Sequence, residues 1–120
     1  MKVYGIPNCD TVKKSLTWLK ENGIEYEFHD FKKLGIAEQK LKEWASQTGW
    51  EPLVNKKGLT WRNLDQQVKD SVISDKAAFA LMQEKTSVIK RPVLETNGKI
   101  LLGFDEDAYK KQFLINQVIE

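Results

Sequence analysis

The chain has 120 residues with one cysteine and one histidine, and its 19 lysines and arginines exceed its 17 acidic residues by only two. One cysteine excludes an internal disulfide, and the near balance of interspersed charges argues against nucleic-acid binding. The length fits one domain over residues 1–120, large enough to bury a core without a structural metal. We therefore expect a cytoplasmic monomer with no metal and no membrane partner.

The N-terminal part predicts a strand, a helix and a second strand. Residues 2–6 are rich in strand formers, and Asp10 or Thr11 can cap a helix that runs to about Asn22. Residues 24–31 alternate in the manner of a strand. This order implies two parallel strands with a right-handed crossover. The loop after the first strand would then open at the carboxyl edge of the sheet, where α/β proteins bind ligands.

The middle of the chain is predicted to be an insertion of helices over about residues 36–87. Residues 37–47 carry apolar side chains at helical spacing, and residues 51–57 suggest a short helical turn. Asp75 is the predicted cap of a further helix. The insertion separates the first two strands from the strands that follow.

The C-terminal part predicts a hairpin and a closing helix. Residues 93–96 and 99–102 form the two strands, joined at Asn97-Gly98, which is a strong signal for a type I′ turn. Asp105 caps the last helix. The summed order βαβ, helices, ββα predicts an α/β fold with a four-stranded mixed sheet. This is the plan of thioredoxin and glutaredoxin with a long helical insertion.

Cys9 lies in the loop between the first strand and the first helix. Its neighbours Pro7, Asn8 and Asp10 are turn formers, unlike the surroundings of a core cysteine. A thiol in this loop faces free backbone N–H groups and the positive end of a helix dipole, and both favour the nucleophilic thiolate. The alternative is that Cys9 is a small buried hydrophobe.

A known family shares this arrangement. Its most specific stretch here is Tyr4-Gly5-Ile6-Pro7-Asn8-Cys9-Asp10-Thr11-Val12-Lys13-Lys14. Further stretches are Gly58-Leu59-Thr60-Trp61-Arg62, the segment 77–82, Ile89-Lys90-Arg91-Pro92-Val93 and Leu101-Leu102-Gly103-Phe104. With these residues the chain resembles the ArsC/Spx family of thioredoxin-fold bacterial proteins, in particular its YffB-like branch, over nearly its whole length.

The resemblance implies roles for named positions. Cys9 matches the catalytic thiol, Arg62 and Arg91 match two arginines that flank the thiol and an oxyanion, and Pro92 matches a cis-proline. It also implies glutathione as co-substrate, with no tightly bound cofactor. The residues expected to bind substrate or glutathione surround the thiol and the proline: Asn8, Asp10, Thr11, Arg91 and Pro92.

Three departures from the family pattern reduce the number of family functions that fit this chain. Val12 occupies the position of the second cysteine of a Cys-x-x-Cys motif, so any disulfide cycle needs a thiol from another molecule. Arsenate reductases have a histidine where this chain has Asn8, and residues 100–104 lack their third arginine. We therefore predict a glutathione-dependent thiol–disulfide reductase that acts on a protein disulfide or an oxyanion. An arsenate reductase and an Spx-like, RNA polymerase-binding regulator without catalysis are the alternatives.

Overall fold

The computed structural model describes residues 1–115, which divide into two compact units. The first comprises Met1–His29 and the chain from Arg91 onward, and the second comprises Asp30–Lys90. The predicted insertion, residues 36–87, lies within the second unit. The prediction of one domain for the whole chain stays a prediction, and its positions beyond residue 115 lie outside the described residues.

Four strands of the described chain form one mixed sheet in the order β2-β1-β3-β4. They are β1 (Lys2–Gly5), β2 (Glu27–Asp30), β3 (Val93–Thr96) and β4 (Lys99–Leu102). Strand β3 is antiparallel to β1, where Tyr4 lies opposite Val93, and to β4, where Leu94 lies opposite Leu101. The predicted four-stranded mixed sheet is confirmed, with β1 ending one residue earlier than expected.

Helix α1 spans Asp10–Glu21 and follows β1. Val12 and Leu19 are fully buried and Trp18 nearly so, because their spacing places them on one side of the helix. A Cβ atom on Gly5 would lie only 2.9 Å from a methyl carbon of Val12, so β1 and the first turn of α1 are in close contact. The glycine at this position therefore sets how near the start of α1 can come to the sheet.

The core of the first unit lies between the sheet and the helices of that unit. Its buried cluster comprises Val3, Trp18, Leu19, Leu94, Tyr109 and Phe113. The rings of Trp18 and Tyr109 meet edge to face, with 5.5 Å between their centroids. The Tyr109 hydroxyl donates to the carbonyl oxygen of Gly103 at 2.7 Å and lies 3.0 Å from the Ser15 hydroxyl. Burial raises the pKa of Tyr109 to about 12, so this hydroxyl stays protonated and available as a donor.

The predicted hairpin and closing helix are both confirmed. Asn97 and Gly98 have φ angles of 50° and 78°, the left-handed pair that a type I′ turn requires. The Asp105 side chain accepts from the backbone N–H of Ala108 at 3.2 Å and caps α7 (Glu106–Lys110). The chain continues from α7 as a π-helical segment, Lys111–Ile115.

The second unit is built of helices. They are α2 (Phe31–Leu34), α3 (Glu38–Thr48), α4 (Leu59–Arg62), α5 (Gln66–Ser71) and α6 (Asp75–Glu84), with 3₁₀ turns at Glu51–Leu53 and Thr86–Val88. The rings of Phe31 and Trp44 meet edge to face, with 6.4 Å between their centroids, and both are buried. Of the helices described here, none is long and apolar enough to span a bilayer.

Two predicted element boundaries were wrong for a shared reason. Residues 24–31 were expected to be strand, but β2 covers only Glu27–Asp30, and Phe31 begins α2 because the Asp30 carboxylate accepts from the N–H of Lys32 at 2.9 Å. Asp75 was expected to cap α6, but the cap is Ser74, whose hydroxyl accepts from the N–H of Ala77 at 3.3 Å. In both cases a capping side chain, rather than apolar spacing, fixes the helix start.

Candidate active site at Cys9

Cys9 is the residue that caps the N-terminus of α1. Its backbone is extended, with φ −142° and ψ 123°, and the helix begins at the next residue, Asp10. The expectation that Asp10 or Thr11 would cap the helix was therefore wrong by one or two positions. A capping side chain faces the N–H groups of the second and third helical residues, which here are Thr11 and Val12. The sulfur of Cys9 thus occupies the place that an oxygen usually takes.

The surroundings of the thiol favour its ionised form. Burial raises the pKa of Cys9, but the backbone N–H of Val12, the side chain and charge of Arg91 and the backbone N–H of Thr11 lower it. The lowering effects outweigh burial, and the pKa of Cys9 lies below its ordinary value. Cys9 makes no capping hydrogen bond of regular geometry with the described residues. The backbone N–H groups of Val12 and Thr11 stabilise the charged sulfur.

The exposure of Cys9 matches a reactive thiol better than a core residue. Its side chain is partly exposed, and the loop residues Pro7 and Asn8 before it are exposed as well. By contrast Ile6, the residue after the first strand, is buried. The loop therefore turns from the core to the surface just before the thiol, which leaves the sulfur open to another molecule.

Arg91 lies two residues before β3, with Pro92 between them. The Arg91–Pro92 peptide bond is cis, as the family resemblance implied. Arg91 is partly buried, with its Nε atom inside the protein, and its side chain donates toward the Cys9 sulfur. The structure thus brings together two of the predicted site residues, Cys9 and Arg91, from positions far apart in the chain.

The other predicted residues have different surroundings. Asn8, Asp10 and Thr11 are exposed beside the thiol, at the end of the loop and in the first turn of α1. Pro92 is buried. Arg62 belongs to the second unit, where it is the exposed last residue of α4. The roles of these five residues in binding or catalysis stay predictions.

Val12 occupies the space in which a second cysteine of a Cys-x-x-Cys motif would lie. Its side chain is fully buried and packs against Gly5. It contributes its backbone N–H to the thiol and its side chain to the core. Position 12 therefore supports the reactive sulfur without supplying a second thiol.

Sequence reasoning missed a hydrogen-bonded chain that holds the first turn of α1. Because the Tyr109 hydroxyl gives its proton to Gly103, the single proton of the Ser15 hydroxyl is shared between the carbonyl oxygen of Thr11 at 3.1 Å and the Tyr109 oxygen at 3.0 Å. Ser15 is fully buried, although serine is rarely a core residue. A serine on the apolar side of a predicted helix was the available signal, because a buried hydroxyl needs a polar partner.

The sequence model of the ArsC family matches residues 4–112. This chain belongs to the ArsC family. A relative from Haemophilus influenzae, an uncharacterized protein, is 46% identical over 92% of this chain and 96% of its own length. The regulatory protein MgsR of Bacillus subtilis is 29% identical over 85% of this chain and 81% of its own length.

Solved structures of ArsC-like proteins share the fold. The YFFB protein superposes with a TM-score of 0.87 at 44% identity, covering 92% of this chain and 96% of its own. An arsenate reductase (ArsC) related protein from Brucella melitensis gives 0.73 at 42% identity, covering 94% and 93%. The predicted ArsC-like, thioredoxin-type α/β fold and the likeness to the YffB-like branch are therefore confirmed.

Proposed function

We propose that this ArsC-family protein is a thiol–disulfide reductase that uses Cys9 as nucleophile and glutathione as reductant. The observation that carries the proposal is the capping position of Cys9 at α1, with Arg91 beside it and a lowered thiol pKa. A partly exposed thiolate at a helix N-terminus is the common arrangement of reactive cysteines.

The reaction consists of three thiol–disulfide exchanges. The Cys9 thiolate attacks one sulfur of a substrate disulfide, forms a mixed disulfide, and expels the other substrate sulfur as a thiolate that takes up a proton. A glutathione thiolate then attacks the Cys9 sulfur and releases the second substrate thiol. A second glutathione attacks the sulfur of the bound glutathione, which restores the Cys9 thiolate and yields glutathione disulfide. Two electrons pass from two glutathione molecules to one disulfide.

Arg91 supplies a contribution that the helix alone cannot. A free thiol of pKa about 8.5 is roughly 3% thiolate at pH 7. A helix N-terminus at an exposed site stabilises an anion by only about 0.3–1 kcal/mol. The guanidinium of Arg91 and the N–H groups of Val12 and Thr11 add to this stabilisation and lower the pKa of Cys9, and of the two N–H groups that of Val12 has the larger effect.

Glutathione is the proposed reductant because the chain contains no second cysteine. A glutathione carboxylate would pair with Arg91, since guanidinium groups bind carboxylates in bidentate fashion, and the family resemblance implies an anion-binding role for Arg62. The tripeptide backbone would lie beside Pro92, with Asn8, Asp10 and Thr11 around the reacting sulfur. No other group is needed as a tightly bound cofactor in this scheme.

Mass spectrometry after a challenge with glutathione disulfide tests the proposal. We expect rapid addition of one glutathione at Cys9, which reduced glutathione then removes. The Cys9→Ser variant is the matched control and should stay unmodified. Slow or substoichiometric addition to the wild-type protein would refute the proposed chemistry.

Arsenate reduction is the second candidate, favoured by the cationic side chain of Arg91 beside the nucleophile, where an oxyanion would bind. Asn8 in place of a histidine and the lack of an arginine within residues 100–104 argue against it. If arsenate were reduced, in a reaction coupled to glutathione and glutaredoxin, faster than small disulfides are reduced, arsenate reduction would become the first candidate.

A regulatory role is the third candidate, favoured by the 29% identity to the regulatory protein MgsR. Such a role would require a protein partner in transcription, and RNA polymerase is the partner that the family resemblance implies. Binding of purified RNA polymerase to the Cys9→Ser variant, measured by analytical ultracentrifugation, would support regulation without catalysis. Its absence, together with turnover of disulfides by the wild type, supports the reductase.

A further inference from the structure

A buried serine connects the core of the first unit to the thiol site. Ser15 is one of the core residues of α1 and is fully buried. Its hydroxyl lies 3.1 Å from the carbonyl oxygen of Thr11 and 3.0 Å from the Tyr109 hydroxyl. The proposed thiol–disulfide exchanges do not involve this hydroxyl, although Thr11 belongs to the first turn of α1, which begins directly after Cys9.

The carbonyl of Thr11 and the N–H of Val12 belong to the same peptide unit. The N–H end of this unit faces the Cys9 sulfur, and the carbonyl end accepts from the Ser15 hydroxyl. In an α-helix the same carbonyl also accepts from the backbone N–H four residues later, so the hydroxyl adds a second hydrogen bond to it. A hydrogen bond accepted at a carbonyl polarises the peptide unit and makes its N–H a stronger donor. The buried hydroxyl therefore acts on the sulfur through one peptide group.

We propose that Ser15 is a positioning residue for the Cys9 thiolate, because its hydroxyl holds the Thr11–Val12 peptide unit and strengthens the N–H that this unit directs at the sulfur. Being fully buried, Ser15 contacts neither the substrate nor glutathione and acts only through that peptide unit. The inference rests on the proposed reductase function and adds to it a residue of the core.

The Thr11–Val12 peptide unit is the one at which a change in donor strength has most effect on the thiolate. Burial raises the pKa of Cys9, and the N–H of Val12 is the largest of the effects that lower it, whereas the N–H of Thr11 is the smallest. The Ser15 hydroxyl bonds to the carbonyl of the unit with the larger effect.

The proton of the Ser15 hydroxyl has two acceptors. Because the Tyr109 hydroxyl donates to the carbonyl oxygen of Gly103 at 2.7 Å, its oxygen competes with the Thr11 carbonyl for the Ser15 proton. A negatively charged sulfur polarises the peptide unit, which makes the Thr11 carbonyl a stronger acceptor and shifts the Ser15 proton toward it. Formation of the thiolate is therefore coupled to the position of one hydroxyl proton in the core.

Two charged side chains face the ends of this network, and removing a hydroxyl group alters neither. Arg91 supplies the positive charge at the Cys9 sulfur. At Tyr109, burial and then the charge of Asp105 raise the pKa to about 12, although the hydrogen bond with Ser15 lowers it. The Tyr109 hydroxyl therefore keeps its proton over the range in which Cys9 titrates.

The rate at which iodoacetamide alkylates Cys9, measured as a function of pH, tests the inference. The thiolate sulfur bonds to the carbon of iodoacetamide and iodide leaves, so the midpoint of the rate profile is the pKa of Cys9. In Ser15→Ala we expect this midpoint to rise by roughly 0.3 unit, which halves the rate at pH values well below it. Alanine is a better helix former than serine, so fraying of α1 cannot explain a higher midpoint.

Two further variants separate the hydroxyl proton from the packing of the core. Tyr109→Phe removes the competing acceptor, so the Ser15 proton goes wholly to Thr11 and the midpoint should stay at the wild-type value or fall. Loss of that buried hydroxyl should nevertheless lower stability toward urea, which is measured for every variant. Thr17→Ala removes an exposed hydroxyl from the same helix and, as the matched control, should leave the midpoint unchanged.

The midpoints also distinguish this inference from the function on which it rests. A rise in Ser15→Ala alone, from a wild-type midpoint below the value of about 8.5 for a free thiol, would support both. A low wild-type midpoint that stays unchanged in Ser15→Ala would overturn the inference and leave the reductase standing. A rise in Tyr109→Phe as well would overturn it too, because the pKa would then follow core packing. A wild-type midpoint at or above about 8.5 would overturn the proposed function and the inference with it.

Discussion

Arg91 and Arg62 are both predicted from the sequence to be site residues beside the thiol, but the structure gives them different surroundings. Arg91 is partly buried and lies two residues before β3, and its side chain donates toward the Cys9 sulfur. Arg62 is exposed at the end of the four-residue helix α4, where its carbonyl oxygen accepts from the ammonium of Lys69 at 3.0 Å. The comparison teaches that the place of Arg91 beside the thiol supports its proposed role, whereas the proposed role of Arg62 depends on the family resemblance alone.

Replacing the nucleophile Cys9 gives the largest expected effect on the rate of disulfide reduction. Cys9→Ser should abolish disulfide reduction, because a hydroxyl is essentially un-ionised at neutral pH and cannot form the mixed disulfide. The measurement is steady-state reduction of a mixed disulfide coupled to glutathione. Residual turnover above the buffer rate would mean that a group other than Cys9 carries the reaction.

Arg91→Ala is the sharpest test of the comparison. We expect the pKa of Cys9 to rise, because both a hydrogen bond and a positive charge are lost, and the rate at pH 7 to fall about tenfold or more. Lys90→Ala removes an exposed charge from the preceding residue and serves as the matched control. An unchanged thiol pKa in Arg91→Ala would show that Arg91 does not stabilise the Cys9 thiolate.

Arg62→Ala should act on the substrate rather than on the thiol. As a proposed partner of a glutathione carboxylate, its loss should raise KM for glutathione several-fold and leave the pKa of Cys9 unchanged. Lys57→Ala, an exposed cation of the same unit, is the control. A shift in the pKa of Cys9 would instead make the two arginines equivalent.

Gly5→Ala should disturb the first turn of α1 through packing alone. The new Cβ would lie 2.9 Å from Val12, an overpacked contact that costs about 1–3 kcal/mol in the free energy of unfolding. Adding Val12→Ala should recover part of that loss, since it removes the clashing methyl groups. Urea denaturation of both variants provides the values, and equal stability of Gly5→Ala and wild type would contradict the close packing.

The smallest expected effect is a pH dependence of stability. Because folding lowers the pKa of Cys9, the thiolate stabilises the native state above the unfolded pKa of about 8.5, and this contribution is lost as the pH falls through the folded pKa. Relative to Cys9→Ser, the wild type should therefore gain stability between neutral and mildly alkaline pH. Parallel denaturation curves at both pH values would contradict a lowered pKa.

The strands and most helices could be predicted from the sequence because the apolar spacing within each element and the turn residues at its ends indicate the same boundaries. The Asn97-Gly98 hairpin shows this agreement most clearly. Sequence reasoning failed at the start of α1, because cysteine is not a usual cap and Asp10 and Thr11 are. Local propensity also cannot foresee the close packing of Val12 against Gly5.

The site was predicted less completely than the fold. Local sequence around Cys9 indicated N–H groups at the thiol, and Thr11 and Val12 supply them. The contact with Arg91 joins segments far apart in the chain, so spacing alone could not reveal it and only the family resemblance implied it.

The most direct test of the central claim is titration of Cys9 by the ultraviolet absorbance of its thiolate, with Cys9→Ser as the blank. We predict a midpoint clearly below the value of about 8.5 for a free thiol, rising toward that value in Arg91→Ala. A wild-type midpoint at or above about 8.5 would contradict the account, because the sulfur would then be a thiol at neutral pH.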